Sequence, residues 1–178
     1  MKDEKAKSEL EVDVNEMTSM LDSYVSFVKT ESPEPIETII INELIGDIVK
    51  TVEKNGVELI IKEKNTIQTS GRQIQLKRAF NNIIDNSQRY AKKIEIILYT
   101  NEKDCVIEFN DDGEGIPRDK YEDVFKPFFT LDPSRNKLKG ESGLGLTITR
   151  DIIRSHGGDV KLDESNLGGL QLKVLLPL

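Results

Sequence analysis

Asn82 and Asn86 stand four residues apart in a stretch that otherwise reads as an amphipathic helix, with Asp85 and Arg89 beside them. Spacings of three, four and seven put all four side chains on one helical face. Asparagine is a poor helix former, so two of them inside a helix suggest a task that outweighs propensity. An amide oxygen is a hard ligand of the kind Mg²⁺ accepts while it keeps waters and substrate phosphates in its shell. Arg89, one turn further along, has the reach to contact a phosphate oxygen. The same face also suits plain contact with solvent.

Three more motifs follow in order. Asp111-Asp112-Gly113-Glu114-Gly115 places a carboxylate at a strand end, able to accept from an exocyclic amine such as adenine's, and two glycines that let backbone approach a flat ligand. Ile116-Pro117 offers an apolar wall next to it. The segment also reads as a tight surface turn or a partial calcium loop, although the remaining calcium-ligand spacing is missing. Phe125-Lys126-Pro127-Phe128, followed by Phe129, reads as core or hinge packing. Gly143-Leu144-Gly145-Leu146 opens a helix, where unpaired N–H groups and the helix dipole favour phosphate oxygens. The polar stretch from Thr130 to Ser142, with Arg135, Lys137 and Lys139, reads as a mobile cover for those phosphates or as an ordinary loop. Each motif alone is common, but the four in this order imply an ATP pocket.

The hydrophobic period predicts the elements that hold these motifs. Arg72 to Ala91 reads as a long helix with Leu76, Phe80 and Ile83 on its buried side. Ile94 to Thr100 and Cys105 to Phe109 read as strands of a hairpin turning at Asn101-Glu102-Lys103-Asp104. Earlier, Glu37 to Ile41 is a β-branched run, and Asn42 is placed to cap a helix that ends near Lys54, at Asn55-Gly56. Short strands are expected over Val57 to Lys62 and Thr66 to Thr69, and a short helix near Asp119. The last helix runs from Gly143 to about His156, and a hairpin around Gly168-Gly169 joins Asp159 to Leu162 with Leu170 to Leu176. The expected class is α+β, a two-layer α/β sandwich whose mixed, antiparallel-rich sheet carries helices on one face.

Upstream, Leu10, Val14, Met17, Leu21, Tyr24 and Val28 alternate in steps of four and three, a heptad seam on one long helix from about Lys5 to Glu31. A lone helix with so narrow a stripe is marginal in water, which favours contact with another chain, and so a homodimer, over packing on its own domain. Ser32-Pro33-Glu34-Pro35 stops that helix. The expected division is a helix over 1–32 and a globular unit over 33–178.

At 178 residues the chain suits one domain plus an appendage, and its 32% charged and 37% hydrophobic content is a soluble, globular balance. A formal charge of −7 argues against a nucleic-acid partner. Cys105 is the single cysteine, so no intramolecular disulfide forms and a reducing cytoplasm is expected. It alternates with polar neighbours as a buried strand position does. No apolar run approaches the ~20 residues of a membrane helix. There is no basic-plus-apolar leader, so neither insertion nor targeting is expected.

These residues together resemble the catalytic ATP-binding domain of bacterial sensor histidine kinases, within the wider group of gyrase B, heat-shock protein ninety and MutL. The resemblance covers about residues 36–178, and its boxes, named N, G1, F and G2, imply the Bergerat ATP-binding fold. It implies Asn86 as Mg²⁺ ligand with Asn82 as its helical companion, and Arg89 and Tyr90 as phosphate- and ribose-side contacts. Asp111 resembles the acceptor of the adenine amine, with Gly113 and Gly115 shaping the pocket and Ile116 and Phe128 among its lining. Gly143 and Gly145 resemble the phosphate-contacting glycines, with Leu144 and Leu146 between and after them. The helix before Ser32 resembles the second helix of the dimerisation and phosphotransfer hairpin of osmosensing EnvZ-type kinases.

The implied activity is Mg·ATP-dependent phosphorylation of a histidine on that hairpin, by positioning and charge neutralisation rather than through a covalent enzyme group. A cognate response regulator is the implied partner, in a cytoplasmic setting with the full-length parent anchored in the inner membrane. The hairpin helix that bears the histidine is not among these residues, so binding without autophosphorylation is expected. Histidine occurs once, in Ser155-His156-Gly157-Gly158, a helix C-terminal stop that suggests a structural role. A hydrolytic ATPase of the gyrase type is disfavoured, because those enzymes carry a glutamate where Asn82 stands. A regulatory or degenerate protein acting by dimerisation or partner binding is the other alternative. It draws support from Glu141, which occupies the first glycine position of the family's Gly-x-Gly-Leu-Gly-Leu.

Overall fold

The computed structural model describes residue 14 and residues 34–52, 56–131 and 143–178. The heptad seam other than Val14, the break at Ser32-Pro33, the expected helix end at Lys54-Asn55 and most of the polar stretch that includes Glu141 lie outside those residues. Val14 is helical and 55% exposed.

The described chain runs β1 (Glu37–Ile40), α1 (Ile41–Val52), β2 (Glu58–Glu63), β3 (Gln68–Gly71), α2 (Gln73–Tyr90), β4 (Lys93–Thr100) and β5 (Asp104–Asp111). Two 3₁₀ turns, Arg118–Lys120 and Asp123–Phe125, lead on to α3 (Gly145–Ser155), β6 (Asp159–Glu164) and β7 (Leu170–Pro177). Five strands form one sheet in the order β2-β4-β5-β7-β6. β2 pairs parallel with β4 and the other three pairings are antiparallel. β1 and β3 make a separate antiparallel pair.

Alternation along the strands sends Ile94, Ile96 and Leu98 of β4, Cys105, Ile107 and Phe109 of β5, and Leu172, Val174 and Leu176 of β7 to one side, in register across the sheet. There they join the apolar stripes of the helices in one core that includes Ile45 and Ile48 of α1, Leu76, Phe80 and Ile83 of α2, and Ile148 and Ile152 of α3. Each such side chain taken fully out of water contributes about 1.5–3 kcal/mol. This is the expected α+β sandwich, with the helical period of three to four meeting the strand period of two along one interface. The other side of the sheet carries polar pairs, Lys62 with Glu95 at 2.6 Å and Lys173 with Glu108 at 2.8 Å. Cys105 is buried with its thiol 3.2 Å from the Gln68 carbonyl oxygen, a packing role, and burial pushes the thiol up.

Three ties fix how the helices are set. The Glu34 carboxylate accepts from the N–H groups of Ile74 (2.5 Å) and Gln75 (3.3 Å), and so caps α2 from 40 residues upstream. Asn42 does not cap α1. That helix begins one residue earlier, and the Asn42 amide instead accepts from the Ile67 N–H (2.8 Å) and donates to the Asn65 carbonyl (3.3 Å), joining α1 to the turn before β3. His156, just past α3, accepts the Arg72 N–H at Nε2 (3.0 Å) while Nδ1 lies 2.7 Å from the Ile152 carbonyl. That carbonyl can only accept, so Nδ1 carries the proton. Both ring nitrogens are therefore committed to backbone, holding the end of α3 against the start of α2.

Candidate nucleotide site

α2 buries Leu76, Ala79, Phe80, Ile83, Ile84 and Ser87, which leaves Asn82 and Asn86 half-buried at the border of that stripe. Asn82 donates from Nδ2 to the carbonyl of Gly145, the first residue of α3, at 3.3 Å. The Thr149 hydroxyl lies 2.8 Å from the same carbonyl and 3.4 Å from that of Ala79, so one buried side chain bridges both helices. The glycine-rich start of α3, where helix N–H groups are free to meet an anion, is thus clamped to the Asn82 turn of α2. Asn86 lies one turn further along α2, with Arg89 and Tyr90 exposed at the end of the helix. Desolvation raises the Asp85 carboxyl above its ordinary value and Arg89 opposes that shift.

At the end of β5 two adjacent aspartates do different things. Asp112 turns outward and its Oδ1 accepts from the N–H groups of Lys92 (2.8 Å) and Lys93 (2.9 Å). The Lys93 bond is the main reason its carboxyl lies below the usual carboxylate range. Asp111 turns inward, only 4% exposed, and its Oδ1 accepts from the N–H groups of Gly113 (3.0 Å) and Leu170 (3.0 Å). Both donors land on one oxygen. Oδ2 takes part in neither bond, and as a carboxylate oxygen it can accept a hydrogen from an amine.

Gly113 sits where a Cβ would come within 3.1 Å of the Tyr90 carbonyl oxygen, so the G1 loop passes directly under the end of α2. Gly115 has φ +70°, a conformation that favours glycine. Ile116 is half-buried and packs against the core. Phe125 is buried and Phe129 packs on the core, whereas Phe128 is 55% exposed and holds φ +62°. Phe128 is therefore not a core residue. Its N–H donates to the Gly143 carbonyl at 3.1 Å, and a Cβ on Gly143 would fall 2.9 Å from the Phe128 Cα. The F and G2 boxes meet backbone to backbone. Leu144 is buried in the core and Leu146 packs against it, which anchors the two residues that flank Gly145.

The sequence motifs did not single out Gly169 and Leu170. Gly169 donates its N–H to the Asp111 carbonyl (3.1 Å), and a Cβ there would run into Asp111 Oδ1 and the Gly113 nitrogen. The β6–β7 turn thus packs directly on Asp111, beside Gly113. Its signal in the sequence is redundancy. Gly168, at φ +100°, already supplies the left-handed residue of the turn, so a second glycine beside it needs another reason.

Among the described residues no group of three or more His, Cys, Asp or Glu is arranged to hold a metal ion. The amide oxygen of Asn86 could serve as one ligand of a cation that takes the rest of its shell from a phosphate chain and water. That donor set fits Mg²⁺.

The model for the histidine kinase-, DNA gyrase B- and HSP90-like ATPases matches residues 71–178. Sensor histidine kinase GtrS of Pseudomonas aeruginosa is 30% identical over 180 residues, covering 99% of this chain and 37% of that protein. Sensor histidine kinase CpxA of Escherichia coli is 30% identical over 177 residues, covering 95% of this chain and 39% of its own length. The chain therefore spans less than two fifths of either relative. Among solved structures, the mycobacterial sensor histidine kinase MprB aligns with a TM-score of 0.71 at 25% identity, over 80% of this chain and 97% of that one. Full-length ShkA, solved in complex with AMPPNP, shares the fold at a TM-score of 0.75 and 14% identity, over 100% of this chain and 40% of that one.

Proposed function

We infer the function from one premise: the chain belongs to the histidine kinase-, DNA gyrase B- and HSP90-like ATPase family. It is an ATP-binding catalytic domain of the sensor histidine kinase type. We propose that it binds ATP with Mg²⁺ held by Asn86, and that in a longer protein it donates the γ-phosphoryl group to a histidine on a dimerisation helix. From there the group passes to a response regulator in the cytoplasm. We further propose that residues 1–32 are the second helix of the dimerisation hairpin and pair through the Leu10, Val14, Met17, Leu21, Tyr24 and Val28 seam, with the ATP domain over 33–178.

The observation that carries the kinase reading over hydrolysis is the hydrogen bond from Asn82 Nδ2 to the Gly145 carbonyl. Only a donor suits that position. A glutamate, the water-activating residue of the gyrase-type enzymes, would set a carboxylate against a carbonyl oxygen and break the clamp. An amide facing the phosphate seat has no means to deprotonate water, so the site is built to hold a nucleotide until an acceptor arrives. Asp111 Oδ2 would take the adenine amine, Arg89 and the α3 N-terminus would neutralise phosphate charge, and Mg²⁺ held by Asn86 would supply further charge neutralisation.

Calorimetric titration with ATP, with and without Mg²⁺, tests the binding half of this reading. Micromolar, Mg²⁺-sensitive binding is expected, together with labelling of a histidine-bearing dimerisation hairpin supplied in trans. Absence of ATP binding would move the chain to the degenerate or partner-binding class.

A further inference from the structure

Arg150, on the second turn of α3, belongs to none of the four motifs. Its guanidinium carbon lies 4.3 Å from the centroid of the Phe125 ring. The same group makes a two-pronged contact with Glu122, Nη1 to Oε2 at 2.7 Å and Nη2 to Oε1 at 3.3 Å, and its Nε lies 4.0 Å from Asp159 Oδ1. The side chain is only 14% exposed, although Glu122 itself is 79% exposed.

A surface ion pair with one partner in solvent adds little stability. More telling, Nε is buried without a hydrogen bond, a cost that the Asp159 carboxylate 4.0 Å away offsets only in part. Local rules are broken in this way mostly where a site requires it.

The placement explains what is gained. Phe125 lies three residues before Phe128, whose N–H meets the Gly143 carbonyl, and Gly143 leads two residues later into the first residue of α3. The contacts close a ring: α3 to Arg150, Arg150 to the Glu122–Phe125 turn, that turn to Phe128, Phe128 to Gly143, and Gly143 back to α3. Only the fork of an arginine can stack on Phe125 and bind Glu122 through two nitrogens at once.

We propose that Arg150 is a positioning residue that locks the Phe125 turn onto α3 and thereby sets the Phe128–Gly143 backbone at the phosphate end of the nucleotide site. The inference rests on the ATP-binding reading of that site and extends it to a residue that touches no nucleotide.

Adenosine and ATP separate this role from a merely structural one, since adenosine uses the Asp111 end alone. In Arg150→Ala, ATP affinity should fall about tenfold, equivalent to about 1.4 kcal/mol, while adenosine affinity stays within about twofold. Arg150→Lys, which keeps the charge over the ring but loses the fork, should recover part of the ATP affinity. An unchanged ratio of ATP to adenosine affinity in Arg150→Ala, with either both ligands weakened or neither, would overturn the proposal. If Arg150→Ala fails to fold, Arg150→Lys and Glu122→Gln carry the same ratio test, with smaller losses confined to ATP. Wild-type protein that binds neither ligand would instead refute the ATP-binding reading itself.

Discussion

Asp111→Asn separates recognition from folding. In the wild type, both backbone donors, Gly113 N–H and Leu170 N–H, reach Oδ1 at 3.0 Å. An asparagine placed with its oxygen there keeps both bonds, so stability should stay within about 1 kcal/mol of wild type. The change falls on the other atom: Oδ2, an acceptor, becomes an NH₂ donor, which in the proposed nucleotide pose would oppose the adenine amine. Losing a hydrogen bond to a charged acceptor costs about 1.5–3 kcal/mol, a roughly ten- to hundredfold loss of ATP affinity. Guanine presents a carbonyl where adenine presents its amine. The same substitution should therefore narrow the preference for ATP over GTP. Calorimetric titration with ATP, GTP and adenosine, beside thermal unfolding, reads each effect. ATP affinity and preference both at wild-type values would remove Asp111 from the adenine site. A loss of affinity matched by an equal loss of stability would make it only a fold residue.

Gly169→Ala should weaken ATP binding and destabilise the fold together, by about 1–3 kcal/mol in unfolding, because a Cβ there meets backbone and the Asp111 carboxylate; wild-type denaturation would show the β6–β7 turn to be pliant. Asn86→Ala should abolish the tightening of ATP binding by Mg²⁺ while leaving the melting curve in place, and equal tightening would take the metal away from Asn86. Replacing His156 with Ala strands the Arg72 N–H and should cost about 1–3 kcal/mol; lost phosphotransfer at unchanged stability would instead mark His156 as a chemical participant. The depressed Asp112 carboxyl adds stability that is fully present above the ordinary aspartate value of about 3.9 and disappears as pH falls through its lower folded value. Wild type and Asp112→Asn should therefore differ at neutral pH and converge in acid, and curves that stay parallel in urea titrations would contradict this.

Much of the fold was legible because it is written in local periods. The buried stripe of α2 and the alternation of β4, β5 and β7 appear in the structure within a residue or two of where the pattern puts them. Family membership followed from four local motifs. What escaped depends on partners far apart in the chain. Asn42 has the right type and position for a cap, yet its amide serves Ile67, 25 residues away. Glu34 reads as part of a linker, and only the folded chain brings it to α2. Gly169 looks like half of a hairpin turn because the carboxylate it makes room for is on another strand. Phe128 reads as packing by its type, while its backbone angle and its bond to Gly143 give it a different place.

β7 lies between β5 and β6 rather than at a sheet edge, and its first residue supplies one of the two donors to Asp111. On a ribosome, the β4–β5 hairpin emerges well before the strand that completes its open side. Until β7 is released and inserts, Asp111 lacks the Leu170 bond that orients it. The orientation of the Asp111 carboxylate is therefore a late product of folding, set only once the sheet has closed around β7.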